Sequence, residues 1–152
     1  MADGTTPWYD DVAMPALMRA ARSTYGAAIR DALDEVACED VPRNGIFVIG
    51  AIARGGSPLS EIIRTLGVSK QAAGQLVDTL VVRGYLERTS DPEDRRRMTV
   101  SLTDHGQLAA SAARSAIDEV DARATERIGT RRMADARAVL GTLIELGSEH
   151  EH

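Results

Sequence analysis

Aromatic side chains are scarce in this 152-residue chain: one Trp, three Tyr and one Phe make up 3% of it, while 43% is hydrophobic overall. A core so poor in rings and so rich in Ala, Leu and Val points to packed helices rather than a β-sandwich. Cysteine is reduced to Cys38, which excludes an intramolecular disulfide. Three histidines, His105, His150 and His152, are too few and too scattered for a zinc site, which needs three or four converging ligands. No nucleophile has a base and an orienting partner nearby, since Cys38 and His105 are far apart in sequence. Gly55-Gly56 lacks the Lys-Ser/Thr that would complete a phosphate-cradling loop. An enzyme, a cofactor and a bound metal are therefore not expected. No apolar run approaches the roughly 20 residues that span a bilayer, and no charged-then-apolar leader opens the chain. The expectation is one cytoplasmic unit over residues 1–152, with no membrane partner.

An excess of positive charge is also missing. The net charge of −5 argues at first against a nucleic-acid partner. The charge is unevenly distributed, however. Between Ser57 and Thr103 seven basic residues meet six acidic ones, leaving the flanks to carry −6, and three of the basic residues are the consecutive Arg95, Arg96 and Arg97. Non-specific affinity for DNA should then be modest, and discrimination should rest on base contacts and shape.

That same stretch carries the most ordered pattern in the chain. Ser57-Pro58 is a side-chain cap followed by a residue suited to the first helical position. A short helix with Ile62, Ile63 and Leu66 apolar should end at Gly67. Ser69 can cap a second helix running to Arg83 and stopping at Gly84. Two helices joined by a tight Gly-containing turn form a helix-turn-helix. In the second helix Ala73, Leu76, Val77 and Leu80 recur at helical spacing and should be buried. Lys70, Gln71, Gly74, Gln75 and Asp78 fall on the opposite side. Amide and short polar groups at the start of such a helix suit base edges in the major groove. Two alternating stretches follow, Leu86 to Thr89 and Met98 to Leu102, which read as a strand pair. Between them the turn formers from Ser90 to Asp94 lead into the three arginines. A hairpin with such a tip beside a helix-turn-helix is a wing, and its arginines can enter a narrow minor groove.

These residues resemble the MarR family of bacterial transcription regulators. The resemblance rests on Leu66 to Ala72, Leu76 to Leu80, Arg83 to Arg88, Asp91 to Arg96 and Leu102-Thr103. It implies a homodimer with two winged domains that binds promoter DNA and is often released by small aromatic acids or oxidants. It also implies that Asp94 and Arg96 form an Asp-x-Arg motif whose arginine reaches DNA, with Asp94 holding Arg96 by an ion pair. One departure is plain: where the family commonly has Thr-Arg, this chain has Gly74-Gln75. An interior Gly costs a helix about 1 kcal/mol relative to Ala.

The flanks supply the scaffold. A helix starting near Asp10-Asp11, with Pro15 in its first turn, presents Leu17, Ala21, Thr24, Ala28, Ala32 and Val36, widened by Tyr25, Ile29 and Leu33. A second apolar helix spans Ile46 to Ala53 and ends at Gly55-Gly56. After Thr103, a capping residue, Leu108, Ala112, Ala116, Val120, Ala124 and Ile128 repeat every four residues. Gly129 breaks that helix, Thr130 caps the next, and Met133, Ala136, Leu140, Leu143, Ile144 and Gly147 share a face.

The fold expected is thus mainly α with a small β-hairpin wing. It comprises a winged helix over 41–103 and dimerisation helices over 10–37 and 104–148. Double-stranded DNA with a pseudo-palindromic operator should meet Ser69, Lys70, Gln71 and Gln75 in one groove and Asp94, Arg95, Arg96 and Arg97 at the wing. An aromatic acid could sit against Tyr25 and Phe47 with Arg22 or Arg54 as anchor, although both rings serve equally well as core. Cys38, near a helix C-terminus and beside Glu39 and Asp40, reads as an inert thiol. A winged helix used only for protein assembly is the alternative.

Overall fold

The computed structural model describes residues 6–55, 67–96 and 98–149. Among them the elements run α1 (Met14–Glu35), α2 (Gly45–Ala53), α3 (Lys70–Val82), β1 (Leu86–Ser90), β2 (Met98–Leu102), α4 (Asp104–Ile128) and α5 (Thr130–Glu149). The fold is mainly α with one antiparallel hairpin. The cap at Ser57, the first helix of the helix-turn-helix, Arg97, His150 and His152 lie outside the described residues.

Local sequence explains most boundaries. Helix α1 starts at Met14 rather than near Asp10, because Pro15 occupies the first turn, where its missing N–H has no partner to lose. Helices α1 and α3 end in the same way. The amide of the second residue past the cap reaches back to the helix, Cys38 N–H to Leu33 O at 2.8 Å and Tyr85 N–H to Leu80 O at 2.9 Å. This closure needs a left-handed residue just before it. Gly84 supplies it at the end of α3 with φ +79°, whereas α1 uses Ala37 at φ 55°. The Ser69 hydroxyl accepts from Ala72 N–H at 3.1 Å and caps α3, and Thr103 caps α4 through Gly106 N–H at 3.0 Å. Gly129, at φ +85°, separates α4 from α5. Thr130 is the first residue of α5 rather than its cap, and the Gly129 carbonyl accepts from Met133 N–H.

The chain divides into two compact units, Met1–Ala116 and Ile117–His152. In the first, Ile29 and Leu33 of α1, Val48, Ile49 and Ala51 of α2, and Ala73, Val77 and Leu80 of α3 are buried. Tyr85, Leu86, Cys38, Ala109, Ala113 and Ala116 complete this core. Strand β1 pairs with β2 from Leu86↔Leu102 to Ser90↔Met98. The hairpin is fastened at its base: Thr103 N–H donates to Tyr85 O at 3.1 Å, and the Thr103 hydroxyl donates to Gly84 O. Gly106 packs so tightly there that a Cβ would lie 2.1 Å from the Tyr85 carbonyl oxygen. The expected stripe on α4 is therefore rotated. Leu108 is exposed, and Gly106, Ala109, Ala113 and Ala116 are buried, because the close approach at Gly106 sets which side faces inward.

In the second unit Arg137 pairs with Asp121. Helix α5 buries no residue of its own, and Val139, Leu140, Leu143, Ile144 and Leu146 are exposed.

Candidate nucleic-acid interface

Helix α3 owes its two faces to its sequence. With Ala73, Val77 and Leu80 turned into the core, Lys70, Gln71, Gly74, Gln75 and Asp78 are left in solvent. Ser69 is also exposed, but its hydroxyl is engaged as the cap. Any DNA contact from Ser69 must therefore share an oxygen already accepting a bond. The helix N-terminus adds a partial positive charge beside Lys70 and Gln71. Asp78, the one acid on this face, pairs with Arg88 of β1. Both partners are exposed, so the pair adds little stability. It does cancel the charge that would most repel a phosphate.

The wing extends from this base. Facing hydroxyls of Thr89 and Thr99 lie 3.0 Å apart across the strands. At the turn, Asp91 Oδ1 accepts from Glu93 N–H at 2.9 Å and Asp94 Oδ1 accepts from Arg96 N–H at 3.0 Å. These are successive Asx turns, the local bonds that let Asp shape a tight loop. The expected ion pair between the Asp94 carboxylate and the Arg96 guanidinium is thus corrected. Asp94 holds the backbone of Arg96, because a carboxylate two residues upstream reaches the amide more readily than a long side chain directed outward. Arg95 and Arg96 are both exposed.

A second cluster was not legible in the sequence. Cys38, Tyr85 and His105 come from three distant stretches. Cys38 Sγ lies 3.8 Å from His105 Nδ1, and the Tyr85 and His105 rings stack with centroids 4.4 Å apart. Asp40 accepts from the Tyr85 hydroxyl through its carboxylate and from Arg83 through its carbonyl. Burial pushes the Cys38 thiol up. The Tyr85 hydroxyl partly offsets this, and the charges of Asp40 and Glu39 add to it. Burial, with the bond to Asp40, likewise raises Tyr85. A buried thiol with a raised pKa is the reverse of an activated one. The cluster ties the Cys38–Asp40 turn to the end of α3.

The expected effector residues separate. A cleft of about 190 Å³ is lined by Arg22, Ile29, Arg30, Leu33, Arg43 and Phe47, with Asp34 and Glu39 also lining it. Arg22 lies over the Phe47 ring, 5.8 Å from its centroid, and donates to Asn44 at 3.3 Å. Tyr25 and Arg54 are not in the lining. Tyr25 projects from a neighbouring face of α1, and Arg54 caps the end of α2, two turns beyond Phe47. Sequence reading missed Arg30 and Arg43. Arg30 follows Arg22 by eight residues, which returns it to nearly the same face of α1, so periodicity could have found it. Among the described residues, no group of three or more His, Cys, Asp or Glu could hold a metal ion. No described helix is long and apolar enough to cross a membrane.

Residues 39–97, which include α2, α3, β1 and the wing turn, match the family model described as MarR family. Over this segment the chain is similar to the MarR family. A curated relative, the uncharacterized HTH-type transcriptional regulator YhbI of Bacillus subtilis (strain 168), is 25% identical over 92 residues. That match spans 60% of this chain and 60% of the relative's length. Among solved structures, CouR from Rhodococcus jostii RHA1 bound to p-coumaroyl-CoA superposes with a TM-score of 0.67 at 22% identity, covering 92% of this chain and 96% of CouR. CouR bound to a 23-mer DNA duplex gives 0.66 at 21%, covering 91% and 99%. At these identities the structural likeness speaks for the fold. The helix face at Lys70 to Asp78 and the tip at Asp94 to Arg96 both lie inside the segment that matches this family model.

Proposed function

We propose that this protein is a sequence-specific DNA-binding transcriptional regulator, a ligand-responsive repressor acting as a homodimer. The observation that carries the reading is the outward face of α3. Lys70, Gln71 and Gln75 are exposed at the start of a capped helix, its only acid is neutralised by Arg88, and Arg95 and Arg96 project from an ordered wing beside it. The MarR-family match over 39–97 and the DNA-bound fold relative support it. In this reading Gln71 and Gln75 read base edges, Lys70 meets phosphate, and Arg95, Arg96 and Arg97 enter the minor groove. Asp94 acts by shaping the loop.

The second copy covers the apolar face of α5, where Leu140, Leu143 and Ile144 are exposed. A two-fold dimer reads a pseudo-palindrome with half-sites about 10 bp apart. The effector is a small anionic aromatic compound held by Arg22, Arg30, Arg43 and Phe47. CouR in complex with p-coumaroyl-CoA supports only the aromatic and anionic character of the ligand, not its size. At about 190 Å³ the cleft is smaller than the ~300 Å³ of common ligand sites and fits a single ring. Such a ligand acts only through its different affinity for the DNA-bound and free states.

The test is selection of duplexes from a random-sequence pool, followed by binding of the selected duplex to wild type and Gln71→Ala. A pseudo-palindrome should emerge, and Gln71→Ala should lose roughly 1–3 kcal/mol of discrimination at an A·T pair. Failure of the wild-type protein to enrich any sequence would overturn the assignment and favour a winged domain used for protein assembly.

A further inference from the structure

Gly74 sits in the middle of α3, one turn after Lys70 and Gln71 and one turn before Asp78. Its φ is not positive, so no turn or cap requires glycine there. Among the described residues nothing lies within 4 Å of where its Cβ would be, so no described side chain packs against it. Glycine in a helix interior is nonetheless destabilising, because it has the most backbone freedom to lose. The other open helical glycines, at 50, 141 and 147, lie on α2 and α5. Gly74 alone shares a face with Lys70, Gln71 and Gln75. A bare strip of backbone that the fold does not use, set among groups suited to base edges, is what close approach of a ligand requires.

We infer that Gly74 is a specificity-determining position, where the C5-methyl group of a thymine in the major groove packs against helix backbone in the space a Cβ would fill. The inference rests on the DNA-binding reading above. The apolar thymine methyl is the one major-groove feature that needs no hydrogen-bond partner, and an adjacent Gln can take the adenine of a neighbouring pair.

The experiment crosses two small changes: Gly74→Ala in the full chain, and thymine→deoxyuridine at each position of a duplex selected by the wild-type protein. Gly74→Ala should raise Tm by roughly 2–4 °C through helix propensity alone. It should weaken binding of the thymine duplex about tenfold, so stability and affinity move in opposite directions. At one thymine per half-site, deoxyuridine should weaken wild type several-fold and Gly74→Ala hardly at all. Gly74→Ala binding as tightly as wild type would overturn the inference while leaving the DNA reading intact. Equal losses for both proteins at every deoxyuridine position would overturn it as well. Failure of wild type to select any duplex would overturn the underlying reading and this inference with it.

Discussion

The two compact units of this chain treat their apolar side chains in opposite ways. In Met1–Ala116 residues from α1, α2, α3, the first half of α4 and the hairpin close over Ile49, Leu80, Tyr85 and Leu86, each at most 2% exposed. In Ile117–His152, α5 buries nothing, and Ile144 is 62% exposed. Both segments have an apolar face at helical spacing, so amphipathicity alone does not distinguish them. The difference lies in what covers the face. The first unit supplies its own cover. The second leaves Leu140, Leu143 and Ile144 exposed, and in the proposed dimer a second copy covers them, because the hydrophobic term of roughly 1.5–3 kcal/mol per large side chain is realised only on burial.

Four variants probe this contrast. The largest effect is expected in the second unit: Leu140→Ser, Leu143→Ser and Ile144→Ser together should cost the dimer about 5 kcal/mol or more. Sedimentation should then show monomer at concentrations where wild type is dimeric. A triple variant that sediments as wild type would place the interface elsewhere. In the first unit Gly106→Ala forces a methyl group against the Tyr85 carbonyl and should cost about 3 kcal/mol in urea denaturation.

A smaller effect concerns the cluster around Tyr85. Tyr85→Phe removes the hydroxyl bond to Asp40 and should cost about 1–2 kcal/mol. The same groups set a pH window. Tyr85 and Cys38 both titrate higher in the folded chain than at their ordinary values of 10.0 and 9.0. The unfolded chain therefore releases these protons first. Their contribution is fully present below pH 9 and is lost as pH rises through the folded values. Stability should fall across alkaline pH, and less steeply in Tyr85→Phe. A flat profile above pH 9 would contradict the buried arrangement. The smallest effect has the opposite sign. Ala37→Gly relieves the left-handed Ala that ends α1 and should stabilise the chain by about 1 kcal/mol, as Gly84 already does at the end of α3.

Much of this architecture was legible from short-range signals. The caps at Ser69 and Thr103, the stops at Gly84 and Gly129, and both strands follow from residues within a few positions of one another. The buried stripe of α3 follows from the 3.6-residue period. What escaped depends on long-range proximity. Nothing in the sequence brings Cys38 beside His105, or rotates α4 so that Gly106 meets Tyr85. The cleft proposed for an effector was half legible. Arg22 and Phe47 line it, while Tyr25 lies on a different face of α1 and Arg43 enters from a loop without periodicity. At the wing, the sequence named Asp94 and Arg96 but not the bond between them. An ion pair and an Asx turn use the same two residues at the same spacing.

The central claim is that the outward face of α3 meets DNA, and Lys70 offers a direct test because it is the only lysine in the chain. An amine-reactive label can be followed at Lys70 by mass spectrometry in the free protein and with a duplex selected by the wild-type protein. The duplex should slow modification of Lys70 several-fold, and protein labelled beforehand should bind that duplex at least about tenfold more weakly. Lys70 reacting at the same rate with and without bound duplex would contradict the claim and move the interface off this helix.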